Sequence, residues 1–371
     1  MKSKIWLSSP TFTGEETNYI KEAFNLGMIG NSGENLEAFE SQIAFKLNDS
    51  LEVLATSSGT AAIHLALQLL GVSENDEVLC QSNTFIATAN PILYQKAIPV
   101  FIDSEKETWN MNPYFLEQAI KDRIKHNKKP KAIIFVHLYG MPAKVSEILS
   151  IAKKYDIPVI EDAAEAFGSQ IEGKYCGTFG NIAILSFNSN KIITTSGGGA
   201  LILKNKNLKD TAFFLSTQAK DTAPFYQHSQ IGYNYRMSNV NAGIGRAQIK
   251  AIDSFVNQRR KINSLYKEAF ANENIIFQTE PSLSYFSNFW LTACLINKNP
   301  LEVINELSHK NIEARPLWKP LHLQPLFKNV KFYGDGTSEE LFKSGICLPS
   351  SVSLTMENQN KIIKTLKTIL Q

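Results

Sequence analysis

The 371-residue sequence contains only four cysteines: Cys80, Cys176, Cys294 and Cys347. No two of them stand at CxxC spacing, which argues against a cysteine-based metal site. All four are compatible with free thiols in a reducing compartment. No stretch supplies the ~20 apolar residues that a membrane-spanning helix needs. The opening MKSKIWLSSP lacks the apolar run of a signal peptide, so the expectation is a soluble cytoplasmic protein that binds no membrane. Single-sign charge is scarce too. The net charge is +3 and the basic residues are dispersed, whereas nucleic-acid binding favours a clustered basic footprint. The densest basic run, 121-KDRIKHNKKPK-131, has no interleaved aromatics and reads as the solvated end of a helix and its loop. Internal repeats and low-complexity tracts are missing as well.

What is present is an ordinary globular composition, 43% hydrophobic and 20% charged, long enough for one large domain and one smaller. Apolar spacing predicts helices over 61–70, 113–122 and 144–156. Short apolar runs predict strands over 77–82, 98–103, 132–138, 157–162, 182–187 and 199–204. Their alternation implies an α/β fold with a mostly parallel sheet. From about residue 245 the pattern changes. One long polar helix is expected over 245–272, followed by strands at 275–280 and 289–296 and helices at 300–310 and 356–371. The expected division is a large domain over 1–245 and a smaller α+β domain over 246–371.

In an open α/β sheet, ligands bind beyond the carboxyl ends of the strands. Four motifs fall there. In 56-TSSGTAAIHLAL-67, small hydroxylic residues and a glycine precede a helix. This is either a phosphate cup of free N–H groups or an ordinary N-cap by Ser58 or Thr60. In 157-IPVIEDAAEAFGS-169 a strand ends in Glu161 and Asp162. Such an acid either holds a protonated ring nitrogen or caps the next segment. In 82-SNTFIATAN-90, Phe85 either stacks on a flat ring or fills the core. In 186-SFNSNKIITTSGGG-199, Lys191 either forms a Schiff base near Ser186 or sits on the surface of a glycine-rich hairpin. Taken together, these motifs supply what pyridoxal phosphate needs: a lysine, an acid, a phosphate cup and an aromatic face. His64 and His137 lie on apolar elements and receive no chemical role.

These blocks, with 136-VHLYGMPA-143, 232-GYNYRMSNVNAGIG-245, 287-SNFWLT-292, 315-RPLWKPLH-322 and 347-CLPSS-351, resemble the DegT/DnrJ/EryC1/StrS family of sugar aminotransferases nearly end to end. The resemblance implies the type I pyridoxal-phosphate-dependent aminotransferase fold. It implies Lys191 as the lysine bonded to the cofactor aldehyde and as the proton shuttle. Asp162 would pair with the ring nitrogen and Phe85 would stack on the ring. Gly59, Thr60, Ala61 and Ser186 would hold the phosphate. Glu165 stands where many members have glutamine, near the ring oxygen. Asn234 would reach the phosphate of a neighbouring subunit, which implies a homodimer with shared sites.

A narrower resemblance is to aminotransferases that use glutamate to aminate a UDP-4-keto-6-deoxy-N-acetylhexosamine, as in bacillosamine pathways of glycan or glycoprotein synthesis. Arg315, Trp318 and His322 would then lie near the nucleotide-sugar, and Met28, Ile29, Gly30 and Asn31 would form the sugar-side loop. Met28, the 30-GNSG-33 run and Ser189 depart from the common pattern, which leaves the exact sugar open. The alternatives are a perosamine-type GDP-sugar or 3-keto sugar transaminase, and a non-catalytic regulator that binds the cofactor.

Overall fold

The computed structural model describes residues 4–371. Residues 1–3, the start of the MKSKIWLSSP stretch and of the expected large domain, lie outside the described residues. In chain order the strands are β1 (Glu52–Thr56), β2 (Glu77–Gln81), β3 (Ile98–Ile102), β4 (Ala132–Val136), β5 (Val159–Asp162), β6 (Gln170–Ile171), β7 (Lys174–Tyr175) and β8 (Ile182–Ser186). They continue with β9 (Gly199–Leu203), β10 (Ile276–Phe277), β11 (Tyr285–Phe286), β12 (Thr292–Leu295), β13 (Arg315–Pro316), β14 (Phe332–Tyr333) and β15 (Gly345–Leu348).

Eight of these strands form the main sheet, in the order β1-β9-β8-β5-β4-β2-β3-β14. The pairings from β8 to β14 are parallel. Only β9 runs against its neighbours, β1 and β8. Two antiparallel steps restore direction, so β1 ends on the same sheet edge as β8, β5, β4 and β2. The middle strands are buried along their length and carry apolar runs, most completely AIIFV of β4, because both sheet faces are covered. The helix Gly59–Leu69 packs on one face with Leu54, Ile160 and Ile184. The helices Pro113–Lys125 and Val145–Lys154 cover the other, around Leu79, Ile133 and Val159.

A second sheet, β10-β12-β15-β13, comes wholly from residues beyond 275. It packs with helices Ile252–Ala269, Pro300–His309 and Met356–Leu370 around Tyr266, Leu307, Ile346 and Ile362. A three-stranded sheet, β11-β6-β7, links the two regions.

Three expectations need correction. The single helix over 245–272 is two helices, Asn239–Lys250 and Ile252–Ala269, separated at Ala251. The domain boundary that we propose between 245 and 246 therefore falls inside a helix. The strand expected over 289–296 begins only at Thr292, because Phe289 has φ +43°, outside the extended region. The C-terminal region also returns β14 to the edge of the main sheet. Asp103 at the end of β3 fixes this return by accepting N–H bonds from Asp335, Gly336, Thr337 and Ser338.

Candidate active site

The carboxyl ends of β2, β5 and β8 and the start of the helix after β1 open into one cavity of about 860 Å³. Gly59, Thr60, Phe85, Asp162, Glu165, Ser186, Lys191, Arg315 and Trp318 all line it.

The stretch between β8 and β9 is indeed a glycine-rich hairpin, but its lysine is not on the surface. The Lys191 side chain is only 12% exposed, and its Nζ lies 3.1 Å from Glu165 Oε1. The same Nζ sits 4.1 Å from the centre of the Trp290 ring, a cation–π contact. Trp290 also clamps the turn, since its Nε1 donates to Asn190 O at 2.7 Å. Of the three glycines, Gly199 is required by packing against backbone, while Gly198 meets only side-chain atoms. A Cβ on Gly199 would lie 2.5 Å from the Gly59 nitrogen, and one on Gly198 would lie 2.3 Å from Thr195 Oγ1. Gly197 faces open space.

Strand alternation separates the two acids that end β5. Glu161 points away from the cavity. It accepts from the N–H groups of Gly177, Phe179 and Gly180 and contacts His137 Nε2 at 2.9 Å. Because Ala143 N–H donates to His137 Nδ1, the histidine proton lies on Nε2 and points at Glu161. Cys176 lies within the same buried group. His137 and Glu161 are thus engaged in internal hydrogen bonds that fix the loop after β7, which accounts for the group without an ion.

Asp162 lies on the cavity side. Its Oδ2 accepts from Thr88 Oγ1 at 2.8 Å, and Thr88 Oγ1 is 2.9 Å from Thr84 Oγ1. Its Oδ1 accepts from Ala164 N–H at 3.1 Å. Burial pushes the Asp162 carboxyl above the usual range despite these bonds. A cationic ligand group would offset that cost. Glu165 is also buried, and burial raises its pKa to about 7 against the lowering pull of Lys191 and the Tyr139 N–H.

The helix Gly59–Leu69 starts at Ser58, whose Oγ accepts from Ala61 N–H at 3.0 Å. Ala61 is therefore occupied by the cap. The N–H groups of Gly59 and Thr60 have no acceptor among the described residues, and the helix dipole favours an anion there. The motif is thus an N-cap that also leaves two N–H groups facing the cavity. A Cβ on Gly59 would come within 3.1 Å of Ser186 Cβ, so glycine lets the cup close around Ser186.

Phe85 leaves 55% of its surface exposed inside the cavity, with its ring 5.6 Å from that of Trp318. Arg315 is exposed at the rim and pairs with Glu313 at 2.8 Å. Other expected site residues are not brought to the cavity. His322 is packed away, stacked 3.7 Å from the Phe332 ring, with its Nδ1 2.7 Å from Ser82 Oγ. Met28, Ile29, Gly30, Asn31 and Asn234 are exposed and do not line it. Thr88 and Trp290 were not expected. Thr88 lies within 82-SNTFIATAN-90, and Trp290 lies in 287-SNFWLT-292. Their contacts depend on long-range folding that local spacing does not encode.

A largely buried amine, a buried carboxylate, two free N–H groups at a helix start and an exposed aromatic face fit a flat, phosphate-bearing, cationic aldehyde. Comparison with known proteins agrees. The model of the DegT/DnrJ/EryC1/StrS aminotransferase family matches residues 10–367. EpsN of Bacillus subtilis (strain 168), whose name describes a pyridoxal phosphate-dependent aminotransferase, is 48% identical over 373 residues, covering 99% of this chain and 96% of that protein. GDP-perosamine synthase of Escherichia coli O157:H7 is 40% identical over 351 residues, 94% of this chain and 93% of its own. The PLP-form structure of the sugar aminotransferase Spr1654 from Streptococcus pneumoniae superposes with a TM-score of 0.90 at 26% identity, covering 99% of this chain and 98% of that one. The chain therefore belongs to the DegT/DnrJ/EryC1/StrS aminotransferase family and is a pyridoxal-phosphate-dependent sugar aminotransferase.

Proposed function

We propose that the enzyme moves an amino group from glutamate to C4 of a UDP-4-keto-6-deoxy-N-acetylhexosamine. The observation that carries a nucleotide-linked substrate is the rim of the cavity. Arg315 and Lys319 line the same space as Lys191, and a guanidinium suits a diphosphate through paired hydrogen bonds. Trp318 adds an apolar face beside them.

Bound pyridoxal phosphate supplies an electron sink for the carbon that loses or gains a proton. In our reading Lys191 would hold the cofactor through its aldehyde and, as a free amine, would move a proton at the reacting carbon. Asp162 holds a proton on the ring nitrogen. Phe85 orients the ring, while Gly59, Thr60 and Ser186 bind the phosphate. Glutamate serves as donor. The exposure of Asn234 away from its own cavity supports a homodimer in which it serves the partner's site.

A second reading, a GDP-linked 4-keto-6-deoxyhexose, is favoured by the 40% identity to GDP-perosamine synthase. The test is a single turnover. Enzyme pre-loaded with an amino group by glutamate is mixed with either keto sugar, and the products are weighed by mass spectrometry. Amination of the UDP-sugar alone supports the first reading, and amination of the GDP-sugar alone replaces it with the second. Amination of neither refutes both.

A further inference from the structure

We propose that Glu165 is the proton acceptor of Lys191: the carboxylate takes a proton from the lysine ammonium and leaves a neutral amine facing the cavity. The inference rests on Lys191 being the reactive amine, and it goes beyond assigning Glu165 to cofactor binding.

The geometry is direct. Lys191 Nζ donates to Glu165 Oε1 at 3.1 Å, with no intervening group. The other oxygen, Oε2, accepts from Tyr139 N–H at 2.7 Å, which fixes the carboxylate and leaves Oε1 for the lysine. Glu165 is buried and Lys191 nearly so. In such a setting an ion pair is not favoured outright over a neutral pair. Trp290 stabilises the ammonium on its other side, so the cation is held until the proton leaves.

The transfer balances without a co-reactant. One N–H bond of Lys191 breaks and an O–H bond forms at Oε1. The electron pair stays on Nζ, which becomes a nucleophile. Reversal returns the proton when the amine must leave or act as an acid.

Other titratable groups face Glu165. Tyr139 and Cys347 lie close, and burial pushes both well above their ordinary values, so both stay neutral through neutral pH. Asp162 is the second carboxyl in the cavity, also raised by burial. Lys191 is the cation that lowers Glu165 most directly. The raised Glu165 value, about 7, allows the carboxyl to change state near neutrality.

The pair titrates jointly, which gives a specific signature. Below the Glu165 titration, the neutral-amine fraction rises tenfold per pH unit. Above it, the state with neutral lysine and protonated glutamic acid carries the same number of protons as the ion pair. The neutral fraction then stays flat over a span set by the coupling of the two charges and rises again beyond it.

The experiment uses the full chain stripped of cofactor. Trace acetic anhydride labels amines across neutral and basic pH, and mass spectrometry of the Lys191 peptide gives the rate. The wild type should show a flat stretch that begins near about 7. Its width should be about one pH unit or more, set by the coupling of charges within hydrogen-bond distance. In Glu165→Gln the flat stretch should vanish. A wild-type curve with a single uninterrupted titration overturns the proposal, whether or not the variant folds. Survival of the flat stretch in Glu165→Gln also overturns it. The result does not depend on which keto sugar is accepted. Attachment of the cofactor to Lys191 is tested separately, by reduction of the loaded enzyme.

Discussion

Replacing Thr88 with valine removes one hydroxyl and little volume, yet it acts on the group proposed to hold the ring nitrogen. Thr88 Oγ1 donates to Asp162 Oδ2 at 2.8 Å inside a fully buried cluster. A hydrogen bond to a charged group contributes about 1.5–3 kcal/mol. Its loss removes a bond that lowers Asp162 and so raises further a carboxyl already raised by burial. The variant also strands Thr84 Oγ1, which lies 2.9 Å from the lost hydroxyl. Ionised Asp162 is the form that pairs with a ring cation. Cofactor affinity should therefore fall, most strongly on the acid side, by about tenfold or more where the lost bond counts in full. The acid limb of that affinity should move to higher pH. The assay is an absorbance titration of stripped protein with pyridoxal phosphate at several pH values. Wild-type affinity and an unmoved acid limb in Thr88→Val would refute the placing of Asp162 at the ring nitrogen.

Other substitutions probe other walls. Gly199→Ala puts a Cβ 2.5 Å from the Gly59 nitrogen, so it should lower stability by about 1–3 kcal/mol and weaken phosphate binding, read by denaturant melts and cofactor titration. Arg315→Ala should raise KM for the nucleotide-sugar several-fold and leave the glutamate half-reaction unchanged. Its exposed pair with Glu313 contributes under about 1 kcal/mol, so melting should hardly move. Glu165 has a folded pKa of about 7 against 4.5 unfolded, so the folded state binds the extra proton. The resulting stability is complete below the unfolded value and is lost as pH rises through about 7, by ~3 kcal/mol in all. Glu165→Gln should flatten that decline in the cofactor-free protein, as followed by thermal melts against pH.

Much of the fold was legible because the buried parallel strands carry short apolar runs. AIIFV, VIED and IAILS announce themselves as strands, and the polar residues at their ends mark the ligand edge. The short strands were not legible. Phe332–Tyr333 is two residues long and exists because β3 and the Asp103 carboxylate receive it. Within the cavity, Lys191, Asp162 and Phe85 could be singled out because a lysine, an acid or an aromatic at a strand end is chemically conspicuous. Thr88 and Trp290 could not. A threonine before a helix and a tryptophan before a strand are ordinary in sequence, and only the fold brings one to Asp162 and the other beneath Lys191. His322 misled for the opposite reason. It follows Arg315 and Trp318 in RPLWKPLH, but the 3-10 turn Leu321–Leu323 turns its ring toward Ser82 and Phe332.

The account turns on Lys191 as the amine that carries the cofactor and surrenders it to an amino donor. The most direct measurement is borohydride reduction of the loaded enzyme followed by peptide mapping, with and without prior glutamate. The account predicts a cofactor mass on the peptide containing Lys191 before glutamate and its loss after. A mass on any other lysine, or one that persists at Lys191 after glutamate, would contradict it.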